Sequence, residues 1–172
     1  EELAALRRRA AEVCFAANRL PPEREEERME LLRPLFGKTG AEFTITPDFH
    51  CDYGGNITLG EGFYANYNLV ILDCAPVTFG DNVLVGPGCG FYTAIHPLDA
   101  AHRATGEEKA APITVGSDVW FGGNVTVLPG VTIGDGAVIG AGSVVTRDIP
   151  PGVVAAGNPC RVLRPGDQEQ AP

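Results

Sequence analysis

From Val115 to Ile149 the chain keeps a six-residue beat. An aliphatic or aromatic residue followed by a small or turn residue falls at Val115-Gly116, Phe121-Gly122, Val127-Leu128, Ile133-Gly134, Ile139-Gly140 and Val145-Thr146. Four residues after each first member stands Val119, Val125, Val131, Ala137, Ser143 or Ile149, all compact or β-branched. Upstream the beat passes through Leu59, Ala65 and Ile71, slips by two residues around Pro76, and resumes at Phe79 and Val85. A period of six fits neither of the helical repeats, about 3.6 and 3.5 residues. It is also too short for the hairpin spacing of an antiparallel sandwich. With apolar positions turned inward and Gly, Asp and Asn at the turns, it predicts a parallel β-helix, each short strand stacked on the next coil.

Two departures from the beat are informative. "FYTAIHPLDAAHRATGEEKAAPITVG", beginning at Phe91, breaks step and predicts a loop excursion over 93–112. Before the repeats, Leu3, Leu6, Ala10, Val13 and Ala17 stand at helical spacing, with Arg7, Arg8 and Arg9 mostly outward. "PPEREEERMELLRPLFG" predicts a second helix, with prolines suited to its N-terminus and acidic residues that favour its positive end. Leu31, Leu32, Leu35 and Phe36 supply its apolar face, Pro34 kinks or ends it, Gly37 is the C-cap, and "EREEER" is a solvated face. The expected organisation is mainly β. It comprises a helical segment over 1–40, a β-helix over 41–165 with one long loop and a C-terminal cap, and a tail over 166–172.

Composition narrows the function. A chain of 172 residues reads as one domain with a real core. Thirteen basic against 22 acidic residues, a net charge of −9, argue against nucleic acid as a partner. No apolar run approaches the roughly 18 residues of a membrane span, and no signal-like apolar region appears. Cys14, Cys51, Cys74, Cys89 and Cys160 are odd in number and lack CxxC spacing, as expected of reduced thiols in a cytoplasmic protein without a metal site.

Four blocks, "FHCDYGGNITLGEGFYANYNLVILD", "YTAIHPLD", "VWFGGNVTVLPGVTIGDGAVIGAGSVVTRDIP" and "AAGNPCRVLR", stand in that order. Together they resemble the maltose and galactoside O-acetyltransferases, hexapeptide-repeat acyltransferases, over roughly residues 1–165. The resemblance implies a left-handed β-helix, a homotrimer, acetyl-CoA as co-substrate and a sugar hydroxyl as acceptor. A related acetyltransferase acting on an antibiotic or an amino sugar is the alternative. A zinc hydratase of the same fold needs three histidine ligands at suitable spacing, which His50, His96 and His102 do not offer.

Acyl transfer from a thioester to an alcohol needs a base and a donor aimed at the oxyanion. Of the three histidines, the match of "TAIHPLD" implies that His96 is the general base, leaving His50 and His102 as exposed polar residues. The resemblance further implies that Asn66 bonds the acceptor hydroxyl beside His96, although from the residues alone it reads equally as a turn residue. Asp52 and Asp73 become acceptor-site carboxylates. Tyr64 becomes a wall of the sugar site, or else a stacked coil aromatic. Cys74, where galactoside-type members often carry an acid, leans the pattern to the maltose type. On the donor side the implied residues are Gly123, whose N–H meets the oxyanion and whose lack of a side chain permits close approach, and Trp120, outward between inward-facing neighbours, along the pantetheine or the active-site wall. Ala141 and Thr146 sit one coil-step apart along one groove. Arg147, Arg161 and Arg164 face the coenzyme A phosphates.

Overall fold

The computed structural model describes residues 1–166. The expected tail, 166–172, lies outside the described residues apart from Gly166.

Three sheets form the sides of a parallel β-helix. The first stacks Lys38–Thr39, Ile57–Leu59, Val77–Phe79, Ile113–Val115 and Thr132–Ile133. The second stacks Phe43–Ile45, Phe63–Ala65, Leu84–Val85, Trp120–Phe121, Val138–Ile139 and Val153–Ala156, and Arg161–Pro165 then returns antiparallel. The third stacks Phe49–Cys51, Leu69–Leu72, Gly90–Tyr92, Thr126–Val127 and Val144–Val145. The first residue of each pair and the residue four after it are buried, as are Leu59, Ala65, Ile71, Phe79 and Val85. Phe63, Phe79, Phe91 and Phe121 stack through the core with centroids 4.9, 4.9 and 5.2 Å apart. Tight corners demand left-handed backbone, which falls to Asn68, Asn82, Asp118 and Asn124.

The register explains the slips in the beat. Phe121 lies on Ile139, 18 residues on, which is three repeats per coil. Earlier coils are longer: Ile45 lies on Ala65 and Ala65 on Val85, 20 residues apart. The two extra residues sit at the corner from third to first sheet. They occur not only near Pro76, as expected, but also at Tyr53–Asn56, where the pair of glycines hides the surplus. The excursion leaves from the same corner one coil later. It begins as a short antiparallel ribbon, Ala94–Ile95 with Lys109–Ala110, and carries a helical turn at Ala100–Arg103 capped by Asp99. Its two ends are tied where Ala111 N–H donates to the Thr93 carbonyl at 3.0 Å. One edge of the coil therefore collects every irregularity.

The other end of the coil needs a lid, because the first strands would otherwise expose unpartnered apolar surface. Helix α1 (Glu2–Asn18) and helix α2 (Glu25–Leu32) supply it. Asn18 exchanges two hydrogen bonds of 2.9 Å with the Phe49 backbone, anchoring α1 on the third sheet. Phe36 packs edge-on against Phe43 and Phe49 at 5.8 and 5.6 Å.

Several helical expectations need correction. Leu3 and Leu6 are exposed, because only the second half of α1, at Ala10, Cys14 and Ala17, lies on the coil. Leu31 is exposed and Met29 takes its place inside. Arg28 of the supposedly solvated face is buried, donating to the carbonyls of Ala17, Leu20 and Pro21 and so closing the C-terminal end of α1. Gly37 is no helix cap: a Cβ there would sit 2.3 Å from the Gly55 carbonyl, so close packing of coils requires the glycine.

Candidate active site

The expected site residues fall on two separate edges of one chain. The first edge is the irregular corner. Asp52 and Tyr53 leave the strand Phe49–Cys51 there, Asp73 and Cys74 follow Leu69–Leu72, and the excursion springs from Thr93 above them. Arg7 reaches across from α1. Its guanidinium lies 3.8 Å from Asp52 and 3.7 Å from Glu108, and 5.0 Å over the Tyr53 ring. His96 Nε2 lies 3.8 Å from Glu108. The Cys74 thiol donates to Asp52 at 3.4 Å; burial, and then that carboxylate, push its pKa up to about 11. Two open cavities flank the cluster. One of about 610 Å³ lies beneath Leu3, Leu6 and Tyr53, and one of about 500 Å³ surrounds His96 within the loop.

Arg7 and Glu108 are missing from the sequence reading. Arg7 sits in a run of three arginines that looks uniformly solvated, and Glu108 in a loop without periodicity. The available signal for Arg7 was its place on the same helical face as Leu3. Asp73 is present but plays a different part. It is fully buried, and its carboxylate accepts from the N–H groups of Asp52, Tyr53 and Asn56 at 3.1, 2.9 and 3.3 Å. Burial nevertheless holds its pKa above the usual carboxylate range. With its side chain turned to these N–H groups, Asp73 braces the corner that carries Asp52. His50 is exposed on the third sheet, and His102 pairs with Glu107 at 2.8 Å.

The second edge runs along the corner from second to third sheet. Asn66, Gly86, Gly122 and Gly140 follow in-register strands and form a ladder, each N–H donating to the next coil at 2.8–2.9 Å. A Cβ on Gly122 would lie 2.6 Å from Ala141 N, and one on Gly86 2.7 Å from Gly123 N. The close-approach glycines are therefore Gly86 and Gly122, and they leave the floor of the groove bare. At Gly123 a Cβ would meet Pro87, its carbonyl at 3.3 Å and its ring at 3.5 Å. The Gly123 N–H donates no hydrogen bond among the described residues. It borders a groove of about 380 Å³ walled by Tyr64, Leu84 and Trp120. Asn66 turns its Oδ1 to Tyr67 N at 2.7 Å, performing the turn role while its amide NH₂ remains a donor.

The outward positions of the second sheet line up in register as Tyr64, Leu84, Trp120, Val138, Val154 and Arg164. Trp120 is 55% exposed, an apolar surface on a column that ends in a guanidinium. Strands stack about 4.8 Å apart, so Trp120 and Arg164 are about 14 Å apart along it. Arg161 stands beside that column on the same returning strand. Tyr64 thus belongs to this edge and not to the Asp52 corner.

One expectation fails on geometry. Ala141 and Thr146 do not step along one groove. They lie on one coil, at opposite ends of the strand Val144–Val145, because five residues span a side whereas a full coil takes 18. Thr146 and Arg147 consequently share the irregular edge, away from Arg161 and Arg164. His96 and Asn66 stand on different corners of one chain with the third sheet between them, so only a second subunit can set one beside the other.

Comparison with known proteins gives this divided site a context. Residues 112–147 match the bacterial transferase hexapeptide (six repeats), and residues 1–40 match the maltose acetyltransferase hexapeptide capping motif. The galactoside O-acetyltransferase of Escherichia coli K12 is 46% identical over 164 residues, 95% of this chain and 81% of that one. The structure of a maltose O-acetyltransferase from Clostridium difficile 630 superposes with a TM-score of 0.96 at 45% identity, covering 98% of this chain and 90% of the other. A galactoside acetyltransferase in complex with coenzyme A gives a TM-score of 0.94 at 45% identity, covering 97% and 84%. With such identity across nearly the whole chain, the protein belongs to the maltose and galactoside O-acetyltransferase family of hexapeptide-repeat acetyltransferases.

Proposed function

We propose that the protein transfers an acetyl group from acetyl-CoA to a sugar hydroxyl, at sites formed between the subunits of a homotrimer. The division of the site carries this reading. The irregular edge holds His96 and a cluster of hydrogen-bonding charges. The groove edge holds the free Gly123 N–H, Trp120 and the arginines but no base. Neither edge alone brings His96 and the Gly123 N–H together, and the irregular edge of one subunit against the groove edge of the next supplies both. The loop also turns Ile95 and Leu98 to solvent on the isolated chain, Leu98 being 97% exposed, which suits a loop packed on a neighbour.

The reaction then runs as follows. The acceptor hydroxyl, beside Asp52, Arg7 and the Asn66 amide, gives its proton to His96 as its oxygen bonds to the thioester carbonyl carbon. Gly123 N–H bonds the oxyanion of the tetrahedral intermediate. The C–S bond breaks, and the proton on His96 passes to the coenzyme A sulfur. Trp120 lines the pantetheine, and Arg161 and Arg164 meet the phosphates about 14 Å down the column, a reach that suits the pantetheine arm.

Thiol release from acetyl-CoA over a panel of acceptors tests this. Turnover is expected with maltose, glucose or a galactoside, with His96→Ala lowering kcat about 10²–10⁴-fold. Turnover confined to antibiotic or amino-sugar amines would overturn the sugar assignment. Normal turnover in His96→Ala would overturn the base.

A further inference from the structure

Resting on the reading of His96 as base, we infer that Glu108 is its positioning residue: it is the counter-charge to the imidazolium formed during acetyl transfer. The ribbon that opens the excursion sets this up. Ala94 pairs with Ala110 and Ile95 with Lys109, so the next position on each strand brings His96 opposite Glu108. One carboxylate oxygen lies 3.8 Å from His96 Nε2. The other lies 3.7 Å from the Arg7 guanidinium and 3.9 Å from the Cys74 sulfur. Glu108 is therefore held from the α1 side and offers its remaining oxygen to the histidine.

The 3.8 Å separation is longer than a hydrogen bond, so the carboxylate leaves Nε2 open to the acceptor hydroxyl. When His96 takes that proton it becomes a cation beside an anion fixed in advance. The attraction is absent while the imidazole is neutral, so it lowers the barrier without tightening substrate binding. Both side chains are partly exposed, and solvent screening keeps the effect well below that of a buried triad carboxylate.

Glu108→Gln preserves size and the fold-bearing backbone and removes the charge. It should lower kcat roughly ten- to a hundredfold, with KM for acetyl-CoA unchanged and Glu108→Asp regaining part of the loss. The decisive measurement is the pair. In a His96→Ala background, assayed at high enzyme concentration, Glu108→Gln should cost nothing further, because its partner is gone. Equal losses in both backgrounds, or a loss confined to acceptor KM, would overturn the inference and make Glu108 an acceptor ligand. Full activity in Glu108→Gln alongside a crippled His96→Ala would overturn it while leaving the base in place. Full activity in His96→Ala would overturn both. Gel filtration and melting of each variant separate these outcomes from misassembly.

Discussion

Two inactive variants of this protein should restore each other when they share a trimer. His96→Ala disables the irregular edge; Gly123→Asp disables the groove edge by setting a carboxylate where the oxyanion forms. The second substitution is compatible with the fold. Its Cβ meets the Pro87 carbonyl at 3.3 Å and the Pro87 ring at 3.5 Å, and Gly123 is not among the residues at positive φ. On the proposed reading, each site takes its irregular edge from one subunit and its groove edge from the next around a closed ring. In a trimer containing two chains of one kind and one of the other, one of the three junctions joins the intact histidine edge of a Gly123→Asp chain to the intact groove of a His96→Ala chain. Mixed trimers, isolated by two different affinity tags after co-expression, should therefore show about one third of wild-type turnover. The His96→Ala parent should lie about 10²–10⁴-fold below wild type, so the recovered signal stands far above background. Coenzyme A thiol release at saturating acetyl-CoA is the assay. Mixed trimers that assemble normally and remain as inactive as their parents would refute the shared site, and so would a stable monomer with full activity.

Further expectations concern the parts of each edge. Asp73→Ala leaves three backbone N–H groups at the corner without their acceptor and should destabilise the protein by about 3 kcal/mol or more in thermal or denaturant unfolding; an unchanged melting temperature would show that the corner holds without it. The Cys74 thiol, pushed up to about 11, stays protonated near neutrality. Iodoacetamide labelling followed by mass spectrometry should find it slower than a free thiol at about pH 8 and still accelerating where an ordinary cysteine has levelled off. Because Asp52 contributes to that rise, Asp52→Asn should speed the labelling, and labelling at the ordinary rate in the unaltered protein would contradict the contact. Arg161→Ala and Arg164→Ala should raise KM for acetyl-CoA with little change in kcat, since each removes a phosphate partner and not a group acting in the transition state; donor KM unmoved in both variants would shift the phosphate site elsewhere.

How much of this was legible in the sequence follows from which interactions are periodic. The coil was legible because its core repeats: Val115, Phe121, Val127, Ile133, Ile139 and Val145 are buried for one reason, and a reader of the spacing finds them all. The excursion was legible as a broken period. Arg28 and Arg7 were not, because nothing in a run of charges says which one turns inward to cap a helix end or reach across a corner. Asp73 looked like a ligand because a carboxylate beside a turn reads the same whether it faces solvent or collects backbone N–H groups. Ala141 and Thr146 were misjudged because a hexapeptide step moves along one coil to the next side, whereas stacking one coil on another takes 18 residues in that part of the chain. That distinction also governs the chemistry. Residues one side apart on a coil face different neighbours, so a histidine and an oxyanion donor placed on different corners of one chain cannot act on the same carbonyl. The proposed trimer turns those corners toward each other at every junction. The regular repeat thus accounts for the core, and the need for two unlike edges accounts for why the repeat is broken at one corner, where the loop and its histidine leave the coil.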